Sequence, residues 1–148
     1  MNKWEQRFLD VADHIATWSK DPSTKVGAVL FNSKNRIKSV GYNGFPEYIK
    51  DDDRLNDRET KYKIIQHAES NLITNCVQEG ISTKDCYMAI SLFPCTKCAG
   101  LIISSGITKI ITRWPDDEFL IRWKDELEFS MKLFKEANVK IELLNCYG

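Results

Sequence analysis

Apolar residues recur at Trp4, Phe8, Val11, Ala12, Ile15 and Ala16, the spacing of one helical face. They predict a helix over residues 3–19. Asn2 and Glu5 stand at capping-box spacing at its start. Asp21-Pro22 closes it, because proline disfavours helix in the residue before it. His14 falls between the apolar positions and reads as a half-exposed structural histidine. The run Val26-Gly27-Ala28-Val29-Leu30-Phe31 breaks the helical period and reads as a strand. A polar turn at 32–35 and a returning strand at 37–42 complete a β-hairpin. Gly41 to Pro46 then forms a constrained loop.

Residues 47–66 are polar, and Asp51-Asp52-Asp53 reads as part of a solvated loop. Glu59 to Gln66 read as a lead-in to the next helix. That helix is expected from about His67 to Val77, with Ala68, Leu72, Ile73 and Cys76 inward and Gly80 ending it. A third strand is expected at 86–90 and a helix at 95–105, closed by Gly106. A fourth strand follows at 109–112. After Pro115, Asp116 or Asp117 caps a last helix over roughly 118–137. Its apolar side carries Phe119, Trp123, Leu127, Met131 and Phe134. Residues 139–143 alternate and read as a final strand. The order is αββαβαβαβ. Strands alternating with helices in the second half predict parallel pairing there, and the first two strands should be antiparallel. The expectation is an α/β, three-layer αβα fold: a five-stranded mixed sheet with helices on both faces.

Composition narrows the function more than the fold. The 148 residues fit one domain, 1–148, with 43% hydrophobic and 28% charged residues. Lys and Arg number 21, as do Asp and Glu, so net charge is zero. That argues against a large basic face for long nucleic acid, but not against binding one nucleotide. No run of about 18 apolar residues predicts a membrane span, and Met1 to Glu5 do not read as a signal peptide. Two of the five cysteines have metal-ligand spacing. Cys76, Cys86 and Cys146 read as reduced thiols, so the expected location is cytoplasmic.

The chemistry concentrates in His67-Ala68-Glu69 and Pro94-Cys95-Thr96-Lys97-Cys98. Each stretch stands at the start of a predicted helix. Alone, Cys-x-x-Cys also suits a redox pair or half of a four-cysteine zinc site, but no second such pair exists. Together His67, Cys95 and Cys98 supply three zinc ligands and leave a fourth position open. Glu69 is close enough to act on a water there without being a ligand. H-x-E followed by P-C-x-x-C is the pattern of zinc nucleobase deaminases. In that chemistry Glu69 takes the water's proton, attack falls on C4 of a cytosine, and Glu69 returns protons to N3 and the departing amine.

The chain resembles the cytidine and deoxycytidylate deaminase superfamily over about residues 4–145. Within it the chain is most similar to deoxycytidylate (dCMP) deaminases. The matching stretches are Ser19 to Ala28, Gly41 to Pro46, Lys61-Tyr62, His67 to Asn71 and Phe93 to Ala99. The resemblance implies a cytidine-deaminase-like fold and the reaction dCMP + water → dUMP + ammonia, feeding thymidylate synthesis. It implies one zinc on His67, Cys95 and Cys98, with Glu69 as proton shuttle. Asn43 is implied to contact the deoxyribose. Lys25, Ser23, Thr24 and Ala68 are further candidates for the nucleotide pocket. It also implies a homo-oligomer, a hexamer favoured, with dCTP and dTTP as effectors; no membrane partner is expected, since no apolar run is long enough. Two departures stand out. Residues 44–66 lack the cysteines and histidine that hold a second, structural zinc in some members. Arg113 to Asp117 do not match closely, so Arg113 is either a phosphate ligand or a surface arginine at a strand end. Rival readings are deamination of dCTP, cytidine or a modified dCMP, a base deaminase acting on nucleic acid, and a non-catalytic zinc protein.

Overall fold

The structure is a computed structural model, and it describes residues 1–144; Cys146 lies outside the described residues. Helix α1 spans Lys3–Ala16. Asn2 and Glu5 form the expected capping box, each side chain bonding the other's backbone N–H. The helix ends earlier than the predicted 19. Thr17, Trp18 and Ser19 instead make tight three-residue backbone bonds to His14, Ile15 and Ala16. The Thr17 hydroxyl also donates to the His14 carbonyl at 2.6 Å.

Strands β1 (Gly27–Phe31) and β2 (Ile37–Tyr42) form the antiparallel hairpin. A single 3₁₀ turn at Asp53–Asn56 and a helix, α2 (Arg58–Ile64), then occupy ground expected to be mostly loop. The order continues with α3 (Ala68–Glu79), β3 (Tyr87–Ile90), α4 (Thr96–Ser104), β4 (Lys109–Arg113), α5 (Asp117–Glu136) and β5 (Lys140–Leu144). The strands make one mixed sheet in the order β2-β1-β3-β4-β5. β1 is antiparallel to both neighbours, and β3, β4 and β5 run parallel.

The two-residue period of each strand divides the core. Val29, Phe31, Ala89 and Ile111 face α1, against Phe8, Leu9, Ala12 and Ile15. Ala28, Leu30, Met88, Ile90 and Ile110 face the opposite side, against α3, α4 and α5. Two glycines set how closely helices approach. A Cβ on Gly27 would lie 2.1 Å from the Ala12 carbonyl oxygen in α1. One on Gly41 would lie 2.6 Å from that of Ala68 and 2.5 Å from the Leu72 nitrogen. Gly41 thus lets the N-terminal turn of α3 sit directly on β2. Trp4 and Trp123, placed on apolar faces by their spacing, are both substantially exposed. The guanidinium of Arg7 covers the Trp4 ring. No helix among the described residues is long and apolar enough to cross a membrane.

Candidate metal centre and nucleotide cavity

Two helix starts meet beside the sheet. His67 is the N-cap of α3 and Cys95 the N-cap of α4, with Glu69 and Cys98 in the respective first turns. The ligand atoms of His67, Cys95 and Cys98 all lie within 4.8 Å of one another. His67 Nδ1 is 3.3 Å from Cys98 Sγ and 3.7 Å from Cys95 Sγ. Tetrahedral zinc, with bonds of about 2.0–2.1 Å to nitrogen and 2.3 Å to sulfur, holds such atoms roughly 3.5 Å apart. The donor set and its spacing therefore fit a single zinc. Among the described residues no other group of three such ligands occurs.

The electrostatics favour one thiolate, Cys95. The hydrogen bond from Cys98, then the His67 ring, pull the Cys95 thiol down to about 4. The hydrogen bond to Cys95, then burial, pushes Cys98 well above the ordinary thiol range. The bond to Cys95 raises His67. Both cysteines stand where unpaired helix N–H groups favour negative charge. Glu69 is 3% exposed, and loss of hydration raises its carboxyl above the usual range. Glu126, on α5, braces the ligand loop by accepting from the Thr96 backbone at 3.0 Å. That bond, then the Thr96 hydroxyl, hold its carboxyl low.

A cavity of about 650 Å³ opens over this cluster, within the range of small-molecule sites. His67, Ala68, Glu69 and Cys95 form its floor, and Ser23, Thr24 and Asn43 stand in one wall. The Asn43 amide is engaged at both ends. Its Oδ1 accepts from the Val26 N–H at 2.8 Å, and its Nδ2 donates to the Thr24 carbonyl at 2.7 Å.

Lys25 and Arg113 are not among the lining residues. The Lys25 ammonium donates to the Ser19 carbonyl at 2.6 Å. Arg113 grips Asp13 of α1 with both terminal nitrogens. The basic groups that do line the cavity are Arg58 and Lys61 on α2 and Arg122 on α5. Sequence reasoning passed over them for physical reasons. Arg58 lies in a segment with no apolar period, and Arg122 on the polar side of α5. Of these positions, only Lys61-Tyr62 falls in a stretch that resembles the family.

Residues 2–113 match the family model described as the cytidine and deoxycytidylate deaminase zinc-binding region. An uncharacterized deaminase of Aliivibrio fischeri, from the luxG 3′ region, is 38% identical over 97% of this chain and 95% of its own length. Human deoxycytidylate deaminase is 42% identical over 93% of this chain and 77% of its own. Among solved structures, the dCMP deaminase of cyanophage S-TIM5 in complex with dCMP and dUMP superimposes with a TM-score of 0.76. It covers 97% of this chain and 99% of that one at 18% identity, a likeness of fold.

Proposed function

The chain belongs to the cytidine and deoxycytidylate deaminase family, and on that premise we propose that it converts dCMP and water to dUMP and ammonia. The observation that carries this reading is the joint one: a buried carboxylate, Glu69, beside a His-Cys-Cys cluster at the floor of a nucleotide-sized cavity. The likeness to human deoxycytidylate deaminase over nearly the whole chain supports the substrate.

His67, Cys95 and Cys98 would hold a zinc, which would supply a Lewis acid able to lower the pKa of a water from about 15.7 to about 7. Glu69 takes a proton from the attacking water as C4 of the base is attacked. It passes that proton to N3, then takes the proton left on the new C4 hydroxyl and gives it to the 4-amino group, which leaves as ammonia as the C4 carbonyl forms. Burial raises its carboxyl, which suits a group that must hold a proton between two transfers. Ala68 closes the floor between His67 and Glu69. Ser23, Thr24 and Asn43 form the wall that meets the nucleotide.

Arg58 and Arg122 are the cations we assign to the 5′-phosphate. The test compares dCMP, deoxycytidine, dCTP, cytidine and single-stranded DNA as substrates. We expect dCMP to exceed deoxycytidine in kcat/KM by orders of magnitude. Arg58→Ala and Arg122→Ala should each cost about 10–100-fold on dCMP, the worth of a charge-assisted bond, and little on deoxycytidine. Equal turnover of deoxycytidine and dCMP by the wild type overturns the monophosphate assignment.

A homo-oligomer, a hexamer favoured, belongs to the same proposal. The large apolar side chains Ile121 and Phe129, exposed on α5, support it. Regulation by dCTP and dTTP rests on the family resemblance. Free, buried Cys76 and Cys86 support a reducing, cytoplasmic location.

A further inference from the structure

Among the described ion pairs, only Lys61–Asp21 has both side chains less than a tenth exposed, at 4% and 7%. It is not a surface ornament, and it is not explained by stability. A buried pair costs about as much in lost hydration as its attraction returns, and apolar packing would serve as well. Its contacts point elsewhere. Asp21 Oδ1 accepts from Lys61 Nζ at 3.0 Å, from the Ser23 N–H at 2.8 Å and from the Thr24 N–H at 3.4 Å. Asp21 Oδ2 accepts from Asn43 Nδ2 at 3.4 Å. Lys61 Nζ makes a second bond to Ser23 Oγ at 3.3 Å.

We propose that Lys61 and Asp21 are positioning residues that clamp residues 21–26 to α2 as the wall of the nucleotide cavity, and so set nucleotide affinity. Asp21, Ser23, Thr24 and Val26 line the cavity from the loop, and Arg58, Lys61 and Tyr62 line it from α2. One ion pair ties the two together. The inference rests on the deaminase reading of this cavity.

The metal cluster is held by other means. Gln66 pairs with Gly44 in both directions, at 2.8 and 3.1 Å, between the end of α2 and His67. Ala68 seats on Gly41, and both cysteines belong to the start of α4. Releasing the clamp therefore loosens the wall and leaves the cluster and Glu69 in place.

The experiment uses Lys61→Met, Asp21→Asn and the double variant. Each single change strands one buried charge and should lower stability. The double variant removes both charges and should recover most of it. A positioning role predicts that in the double variant KM for dCMP stays raised about tenfold or more, with kcat within about threefold of wild type. Zinc content should be unchanged, and backbone amides of residues 21–26 should exchange hydrogen faster despite the restored global stability. A double variant with wild-type KM and wild-type exchange at 21–26 overturns the inference. So does one whose kcat falls while KM holds. If the wild type fails to turn over dCMP, the substrate reading falls alone, and exchange at 21–26 still decides whether the clamp exists.

Discussion

Glu69 and Glu5 are both buried carboxylates, yet their surroundings push them in opposite directions. At Glu69 burial outweighs the pull of its own backbone N–H and the nearby His67 ring, and the carboxyl is raised. Glu69→Gln should keep zinc and fold while kcat falls about 10²–10⁴-fold or more, the range of a general acid–base group. Single-turnover assays on metal-replete protein check this, and near-normal turnover excludes the role. Burial also pushes Glu5 upward, but hydrogen bonds from Lys109 and the Asn2 backbone outweigh it and leave the carboxyl lowered. The folded chain therefore gives up this proton at lower pH than the unfolded chain. Its contribution is complete above the unfolded value of about 4.3 and is lost as pH falls through the lowered folded value. Glu5→Gln should cost about 1.5–3 kcal/mol at pH 7, as for hydrogen bonds to charged groups. The gap to wild type in urea unfolding should close on acidification below pH ~4. A gap that persists undiminished in acid would show that the Glu5 charge contributes nothing.

At the scale of elements, Gly41 links the sheet to the chemistry. Gly41→Ala places a methyl against the Ala68 oxygen and the Leu72 nitrogen, both backbone. α3 must shift to make room, carrying His67 and Glu69 with it. We expect a stability loss of about 1–3 kcal/mol and a disproportionate fall in kcat, read by denaturation and steady-state kinetics. The elements that build this floor were legible in the sequence because their faces are periodic: α3, α4 and the parallel strands fall within a few residues of expectation. Helix α2 was not. Arg58-Glu59-Thr60-Lys61 offers no apolar stripe, and the residue it buries most deeply is a lysine whose partner lies 40 positions away. The partners that Lys25 and Arg113 take were hidden in the same way. A charge next to a motif says nothing of whether Ser19 or Asp13 reaches it first. Helix α1 stopped short of 19 because Thr17 could cap it locally, an option that spacing does not register.

For the whole molecule, a zinc on His67, Cys95 and Cys98 would tie α3 to α4, which pack on the same face of the sheet. Elemental analysis should find one zinc per chain, and two would contradict the single cluster. Stripping it with a chelator should lower the melting temperature by about 5–10 °C, the linkage expected of a ligand at about a hundred times its dissociation constant. An unchanged melting curve would mean that the cluster is no part of the folded chain's stability. The antiparallel seat of β1 between β2 and β3 has a consequence in time rather than space. Ala28 pairs with Ile90, about 60 residues later, so on the ribosome β1 waits roughly 3–12 s for its second partner. Meanwhile α1 and β2 are already made, and α3, which covers the face carrying Ala28 and Leu30, is completed before β3 arrives. The imidazole and carboxylate of the site also precede both thiols. Zinc should therefore join only after about two thirds of the chain has been synthesised. Nascent chains arrested before Cys95 should lose zinc on gel filtration, and chains arrested well beyond Cys98 should retain it.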